Sequence, residues 1–223
     1  MTPSTSTAGS SQQSEPAEAS HFWDRMAAGY AAKPVPDESV YARKLELTRG
    51  YLRPTSRVLE VGCGTGSTAL AHAPYAQHIR ATDFSAQMID IARRKAAEAQ
   101  VENVEFVQGS VNEALGGTEQ YDVILALSVL HLLPDWQDVL RAAEQKLAPG
   151  GVLVTSTLCL RDAYGWLRWI TPLGQKLGLL PHLSFFSSNA LKMTMQASGL
   201  RIEHAWQPSK KNGLFVITSK QGI

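Results

Sequence analysis

From residue 57 onward, short apolar runs alternate with longer stretches in which apolar side chains recur every three or four positions. The runs at 57–61, 78–82, 104–108, 121–127 and 152–157 predict strands. The run at 121–127 is apolar almost throughout, as a strand buried on both faces should be. Between the runs, helical periodicity predicts helices from the turn after residue 66 to about 75, from 85 to about 99, and over 135–147, stopped by Pro149-Gly150-Gly151. A further helix is expected over 188–197, with Ser187 or Ser188 as N-cap and Gly199 ending it. The last two runs, 201–207 and 214–219, are separated by Pro208, Ser209 and Asn212-Gly213 and read as an antiparallel hairpin. Ahead of this alternation, Phe22, Trp23, Met26 and Tyr30 predict a helix over 21–32, broken by Pro34 and Pro36. Val40, Tyr41, Leu45 and Leu47 predict a second over 39–52, ended before Pro54. The order implies a doubly wound, Rossmann-like α/β fold. It should have a seven-stranded, mostly parallel sheet, a C-terminal antiparallel hairpin, an N-terminal helical lid and a helical insertion before the last helix.

Length and composition narrow this to one domain. The chain has 223 residues, 44% hydrophobic and 18% charged, with a net charge of +1. That balance gives no concentrated basic face for nucleic acid. Arg93, Arg94 and Lys95 are flanked by Asp90 and Glu98 and read as a solvated helix face. Cys63 and Cys159 provide neither a disulfide framework nor a metal-binding spacing, which suits a reducing cytoplasm. No uninterrupted apolar stretch of membrane-spanning length occurs. Residues 1–20 lack Lys, Arg and any apolar run. They are expected to form a flexible tail, not a secretory signal, with the folded domain covering 21–223.

The chemistry concentrates in Val58-Leu59-Glu60-Val61-Gly62-Cys63-Gly64-Thr65-Gly66, which runs from a strand through a glycine turn into a helix. Glycines there let backbone approach a ligand closely, and the helix start offers unpaired N–H groups. Asp83 ends the second strand, where a carboxylate can accept hydrogen bonds from both ribose hydroxyls of an adenosine. Leu147-Ala148-Pro149-Gly150-Gly151 precedes the fifth strand. Together these segments resemble the class I S-adenosylmethionine-dependent methyltransferase family, in particular its small-molecule, ubiquinone and menaquinone C-methyltransferase-like branch. A dehydrogenase turn of type G-x-G-x-x-G would want a small residue at Ser67 and a second domain, and fits less well.

The resemblance implies S-adenosylmethionine as cofactor, S-adenosylhomocysteine as product and no metal. It implies that Gly62, Cys63, Gly64 and Gly66 pass under the methionine part, and that Glu60 holds the cofactor's ammonium. Asp83 would take the ribose, and Phe84 and Met88 would flank the adenine. Gly109-Ser110-Val111 lies where the family usually places an acid against the adenine amino group; here Ser110 stands instead. Leu127 and Ser128 resemble the segment beside the methionine and the acceptor. Tyr30 resembles an aromatic closing over the cofactor from the N-terminal lid, or else a packing tyrosine.

No catalytic residue stands out. His131 reads either as a general base or, preferably, as a residue that shapes the turn. Residues 158–186 form a long connection carrying Tyr164, Trp166, Trp169, Ile170, Leu173, Leu177, Leu179, Leu180, Phe185 and Phe186. It reads as a helical lid over a pocket for a small apolar or amphipathic acceptor, with Trp166 and Trp169 on one pocket-lining face. A subdomain buried only for stability is one alternative. A membrane-surface helix using Arg161, Arg168 and Lys176 is another, but Gly165, Pro172, Gly174 and Gly178 interrupt it. An S-adenosylmethionine-binding sensor or assembly protein without turnover is the competing function. The pattern specifies no oligomeric state.

Overall fold

The computed structural model describes residues 17–209 and 211–221. Seven strands form one sheet in the order β3-β2-β1-β4-β5-β7-β6. They are β1 (Arg57–Val61), β2 (His78–Asp83), β3 (Val104–Gln108), β4 (Tyr121–Leu127), β5 (Leu147–Thr157), β6 (Leu200–Trp206) and β7 (Leu214–Lys220). The first five run parallel, and β7 pairs antiparallel with both β5 and β6. The doubly wound sheet with its terminal hairpin is the architecture expected from the sequence.

Alternation along each strand sends side chains to two cores. On one face Leu59, Val61, Ile124, Ala126 and Leu153 join Trp136, Leu140 and Leu191. On the other Val58, Ile79, Val123, Leu125 and Val154 pack with Ala69, Ile89 and Phe215. The helices that cover these cores are α3 (Ser67–His72), α4 (Ala86–Glu98), α6 (Trp136–Lys146) and α9 (Ser188–Ala197). The strand order reverses between β1 and β4, which stay parallel. Their carboxyl ends, with those of β2 and β5, open on a single edge, which is where doubly wound sheets place ligands.

Helices α1 (Ala17–Ala32) and α2 (Glu38–Arg49) precede the sheet. α1 starts four residues before the expected position because Ala17, Glu18 and Ala19 are strong helix formers that extend it without an apolar stripe. The rest of the expected tail, residues 1–16, lies outside the described residues. Asp37 caps α2 by accepting from the Val40 N–H at 3.0 Å. The Pro149-Gly150-Gly151 segment is not a helix stop. α6 already ends at Lys146, and the glycines form an irregularity within β5, where pairing shifts between Tyr121 and Val123. A short helix, α5 (Val111–Ala114), escaped the periodicity because it is only one turn long. Its signal was present all the same: Ser110 and Glu113 form a reciprocal capping box. The long connection after β5 folds as α7 (Leu160–Tyr164), a tight 3-10 stretch at Gly165–Trp169 and α8 (Thr171–Lys176).

Candidate functional site

A cleft of about 2070 Å³ opens over the carboxyl ends of β1, β2, β4 and β5. α1 and α2 bound it on one side, and the chain after α8 bounds it on another. Two hydrogen bonds of Asp24 hold α1 in place: it accepts from Ser85 Oγ at 2.6 Å and from the Gln87 N–H at 3.2 Å. The carboxylate thus sits at the start of α4, where the helix dipole favours negative charge. Arg25 reaches across to donate to the Gly178 carbonyl at 3.3 Å, linking α1 to the insertion.

The glycine turn forms the floor, and its glycines differ in task. A Cβ on Gly62 would fall 2.7 Å from Val129, and one on Gly66 would fall 2.7 Å from the Phe106 ring. These two glycines admit neighbouring side chains. Gly64, at φ +54, faces open space, with only the Tyr30 ring 3.9 Å from such an atom. Gly62, Cys63 and Gly64 line the cleft, but Gly66 does not; it is turned down onto Phe106 and Ala92. Gly66 thus has a packing task at the start of α3. Cys63 is buried, and burial, followed by the charges of Glu60 and Asp83, raises its thiol pKa, so the sulfur stays protonated.

Two carboxylates stand beside the turn. Asp83 Oδ2 accepts from the Gly64 N–H at 2.9 Å and Oδ1 from the Ser85 N–H at 3.0 Å. Burial raises its pKa, and these two N–H groups partly offset that rise. Glu60 is 2% exposed, and its Oε2 has no hydrogen-bond partner among the described residues. Burial, with Asp83's charge second, pushes its carboxyl up to about 8. Glu60 lines the cleft, and a buried oxygen without a donor is costly unless a ligand satisfies it. A primary ammonium would do so. Tyr30 lines the same cleft; burial first, then the charges of Asp83 and Glu60, raises its phenol pKa.

The remaining candidates gather at the same cleft. Phe84 and Met88 lie on its wall, as do Gly109, Ser110 and Val111 at the end of β3 and Leu127 at the end of β4. Ser110 is already engaged. Its hydroxyl accepts from the Glu113 N–H at 3.1 Å, and Glu113 Oε2 accepts from both Ser110 Oγ and the Ser110 N–H. Glu113 also lines the cleft, so an acid is present here, one helical turn later than the family position. The S-x-x-E spacing carried that signal.

Four residues were not singled out from sequence. Lys44 of α2 and Ser156 of β5 meet through a 2.9 Å hydrogen bond on the cleft wall. Tyr41, beside Lys44, pairs with Thr68 at 3.2 Å, and Asp24 anchors α1. No motif marks them, because each acts through tertiary placement on a lid helix or strand end. His131 is buried, with Nδ1 3.1 Å from Thr157 Oγ1, while its carbonyl accepts from the Ser184 N–H. Burial lowers its pKa to about 4, so the ring is neutral and a weak base near pH 7. The geometry is that of a residue pinning the insertion to the turn.

Trp166 and Trp169 do share a face, but that face points to solvent. They are 64% and 75% exposed and do not line the cleft. The 3-10 stretch carries them on the outer side, while Phe186 is buried against Trp136 at a ring separation of 4.3 Å. Leu158, Leu180, Pro181 and His182 reach the cleft instead.

Known proteins resemble this chain in sequence and fold. A family model described as a methyltransferase domain matches residues 36–205. Ubiquinone biosynthesis O-methyltransferases of Salmonella arizonae and Salmonella typhimurium are 35% and 34% identical over 142 residues. That alignment covers 60% of this chain and 58% of each relative, so the match spans less than two thirds of their length. Among solved structures, a DhpI–SAH complex superposes with a TM-score of 0.70 at 22% identity, covering 92% of this chain and 96% of that one. The YcgJ protein from Bacillus subtilis gives 0.66 at 18%, covering 82% and 99%. At such identities the structural matches establish the fold. With the family model spanning most of the folded chain, the protein belongs to the class I S-adenosylmethionine-dependent methyltransferases.

Proposed function

We propose that this chain transfers a methyl group from S-adenosylmethionine to a hydroxyl oxygen of a small, partly apolar molecule bound between the glycine turn and the insertion. The observation that carries the cofactor half is the unpartnered Glu60 oxygen in the same cleft as the open face of Gly64 and the Asp83 carboxylate. The donor set suits the cofactor: Glu60 for the ammonium, Asp83 for the ribose, Phe84 and Met88 for the adenine faces. Gly109, Ser110 and Val111, with Glu113 beside them, would border the adenine edge. Bound S-adenosylmethionine supplies a methyl group made electrophilic by its sulfonium.

The chain's own part is to bind, orient and exclude water. Positioning of this kind is worth about 7–11 kcal/mol of barrier. The preference for oxygen over carbon rests on the ubiquinone biosynthesis O-methyltransferase relatives, and so on the part of the chain they match. The apolar side of the acceptor is supported by Leu127, Val129, Leu158 and Leu180 on the cleft wall.

The test is calorimetry with S-adenosylhomocysteine on the parent protein and on Glu60→Gln. The proposal expects binding by the parent and a loss of about tenfold or more in the variant, the scale of one charged hydrogen bond. Equal affinities in two folded proteins would remove Glu60 from the site.

A further inference from the structure

We propose that Lys44 and Ser156 form an oxyanion-binding pair that holds the acceptor's reacting oxygen in its ionised form. The inference rests on the methyltransferase reading above and adds to it the charge state of the acceptor. Lys44 is half-buried on the cleft side of α2. Its ammonium has three N–H donors, and Ser156 Oγ accepts one of them. No carboxylate lies within ion-pair distance of it among the described residues. Asp37, at the exposed start of α2, is the opposite charge it feels most, and burial outweighs it in lowering the ammonium's pKa. A half-buried cation facing a cleft, with no carboxylate at ion-pair distance among the described residues, can take an anionic ligand as its partner.

Ser156 adds a second donor. It is 5% exposed, and its oxygen accepts from Lys44, which leaves its own O–H free to point into the cleft. Its position follows from the sheet register. Ser156 pairs with Leu127 across β4 and β5, and its carbonyl accepts from the Ser128 N–H at 2.6 Å. Ser128 sits at φ +58, a conformation that a non-glycine residue holds only when its surroundings impose it. The backbone of Ser156 therefore lies one strand spacing, ~4.8 Å, from the end of β4, which puts the pair beside that strand end. Leu127 and Ser128 there border the methionine end of the proposed cofactor site.

The chemistry needs such a pair. Methylation of a hydroxyl oxygen forms an O–C bond as the sulfonium S–C bond breaks. The electron pair passes to sulfur to leave neutral S-adenosylhomocysteine, and the hydroxyl proton goes to solvent. A neutral hydroxyl is a poor nucleophile, and His131, neutral and weakly basic, is unsuited to take that proton. An ammonium and a hydroxyl donor stabilise the oxygen after its proton has passed to solvent, without either group changing protonation state. Acidic hydroxyls, such as phenols and enols, are the acceptors this arrangement favours over alcohols.

The test uses 4-nitrocatechol, whose visible absorption reports its ionisation, and the full-length protein saturated with S-adenosylhomocysteine. At fixed pH the parent should raise the nitrophenolate band on binding. Lys44→Met should bind about tenfold more weakly and abolish the increase. Lys44→Arg should keep part of it, and S-adenosylhomocysteine affinity and melting temperature should not move in either variant. An undiminished band in a folded Lys44→Met, or no spectral change with parent protein that binds S-adenosylhomocysteine, would overturn the pair. Failure of the parent to bind S-adenosylhomocysteine would overturn the methyltransferase reading itself, and the pair with it.

Discussion

At the residue scale the decisive group is Glu60, whose burial leaves a signature in stability. Its carboxyl titrates near 4.5 when unfolded and near 8 when folded. A folded pKa above the unfolded one means the folded state binds the proton more tightly. Its contribution is therefore fully present below about pH 4.5 and is lost as pH rises through about 8. Asp83 shifts in the same direction. The ligand-free protein should melt at lower temperature as pH climbs through that window, and Glu60→Gln should flatten the trend; a parallel pair of melting curves would refute this origin. Asp83 gives a second prediction. Asp83→Ala removes the acceptor for the Gly64 and Ser85 N–H groups as well as the proposed ribose contact. Cofactor affinity should fall by about 1.5–3 kcal/mol for each charged hydrogen bond lost. Calorimetry reads this directly, and an unchanged affinity in the folded variant would place the ribose elsewhere.

At the scale of elements, the glycine turn separates fold from ligand. Gly66→Val would drive side-chain atoms into Phe106 and Ala92, and should cost stability on the order of 1–3 kcal/mol by denaturant unfolding. Gly64→Val meets little protein, so its cost should come from a strained φ and, above all, from lost cofactor binding. If the two variants behave alike in both assays, this division of labour is wrong. The insertion yields the reverse expectation from the one its sequence suggested. Trp166→Ala and Trp169→Ala should leave cofactor affinity and turnover within about twofold, because surface side chains away from a site change energies by only about 0.5 kcal/mol. A large loss of turnover would return those rings to the acceptor site. Period-2 and period-3.6 patterning made the strands and longer helices legible, because burial imposes those periods directly. The strand–turn–helix context made the cofactor floor legible. What stayed hidden has no local period: the Lys44–Ser156 pair joins residues 112 apart in sequence, and the outward turn of Trp166 is set by a 3-10 stretch whose face no spacing rule specifies.

For the whole molecule, one sheet edge does two jobs. The ends of β1 and β2 carry Glu60, the glycine turn and Asp83, and the ends of β4 and β5 carry Leu127, Ser128 and Ser156. The lids are drawn from the helices ahead of β1 and from the insertion after β5, with α1 tied to α4 through Asp24 and to the insertion through Arg25. A cofactor on the β1–β2 side and an acceptor on the β4–β5 side would thus meet over the switch point of the sheet. The measurement that tests this most directly is transfer of a labelled methyl group from S-adenosylmethionine to small molecules of a cell extract, with labelled products identified by mass. The account predicts label on a low-molecular-weight hydroxyl compound, dependent on Asp83. Tight S-adenosylmethionine binding with no labelled product from any extract fraction would contradict it and point to a cofactor-sensing protein without turnover.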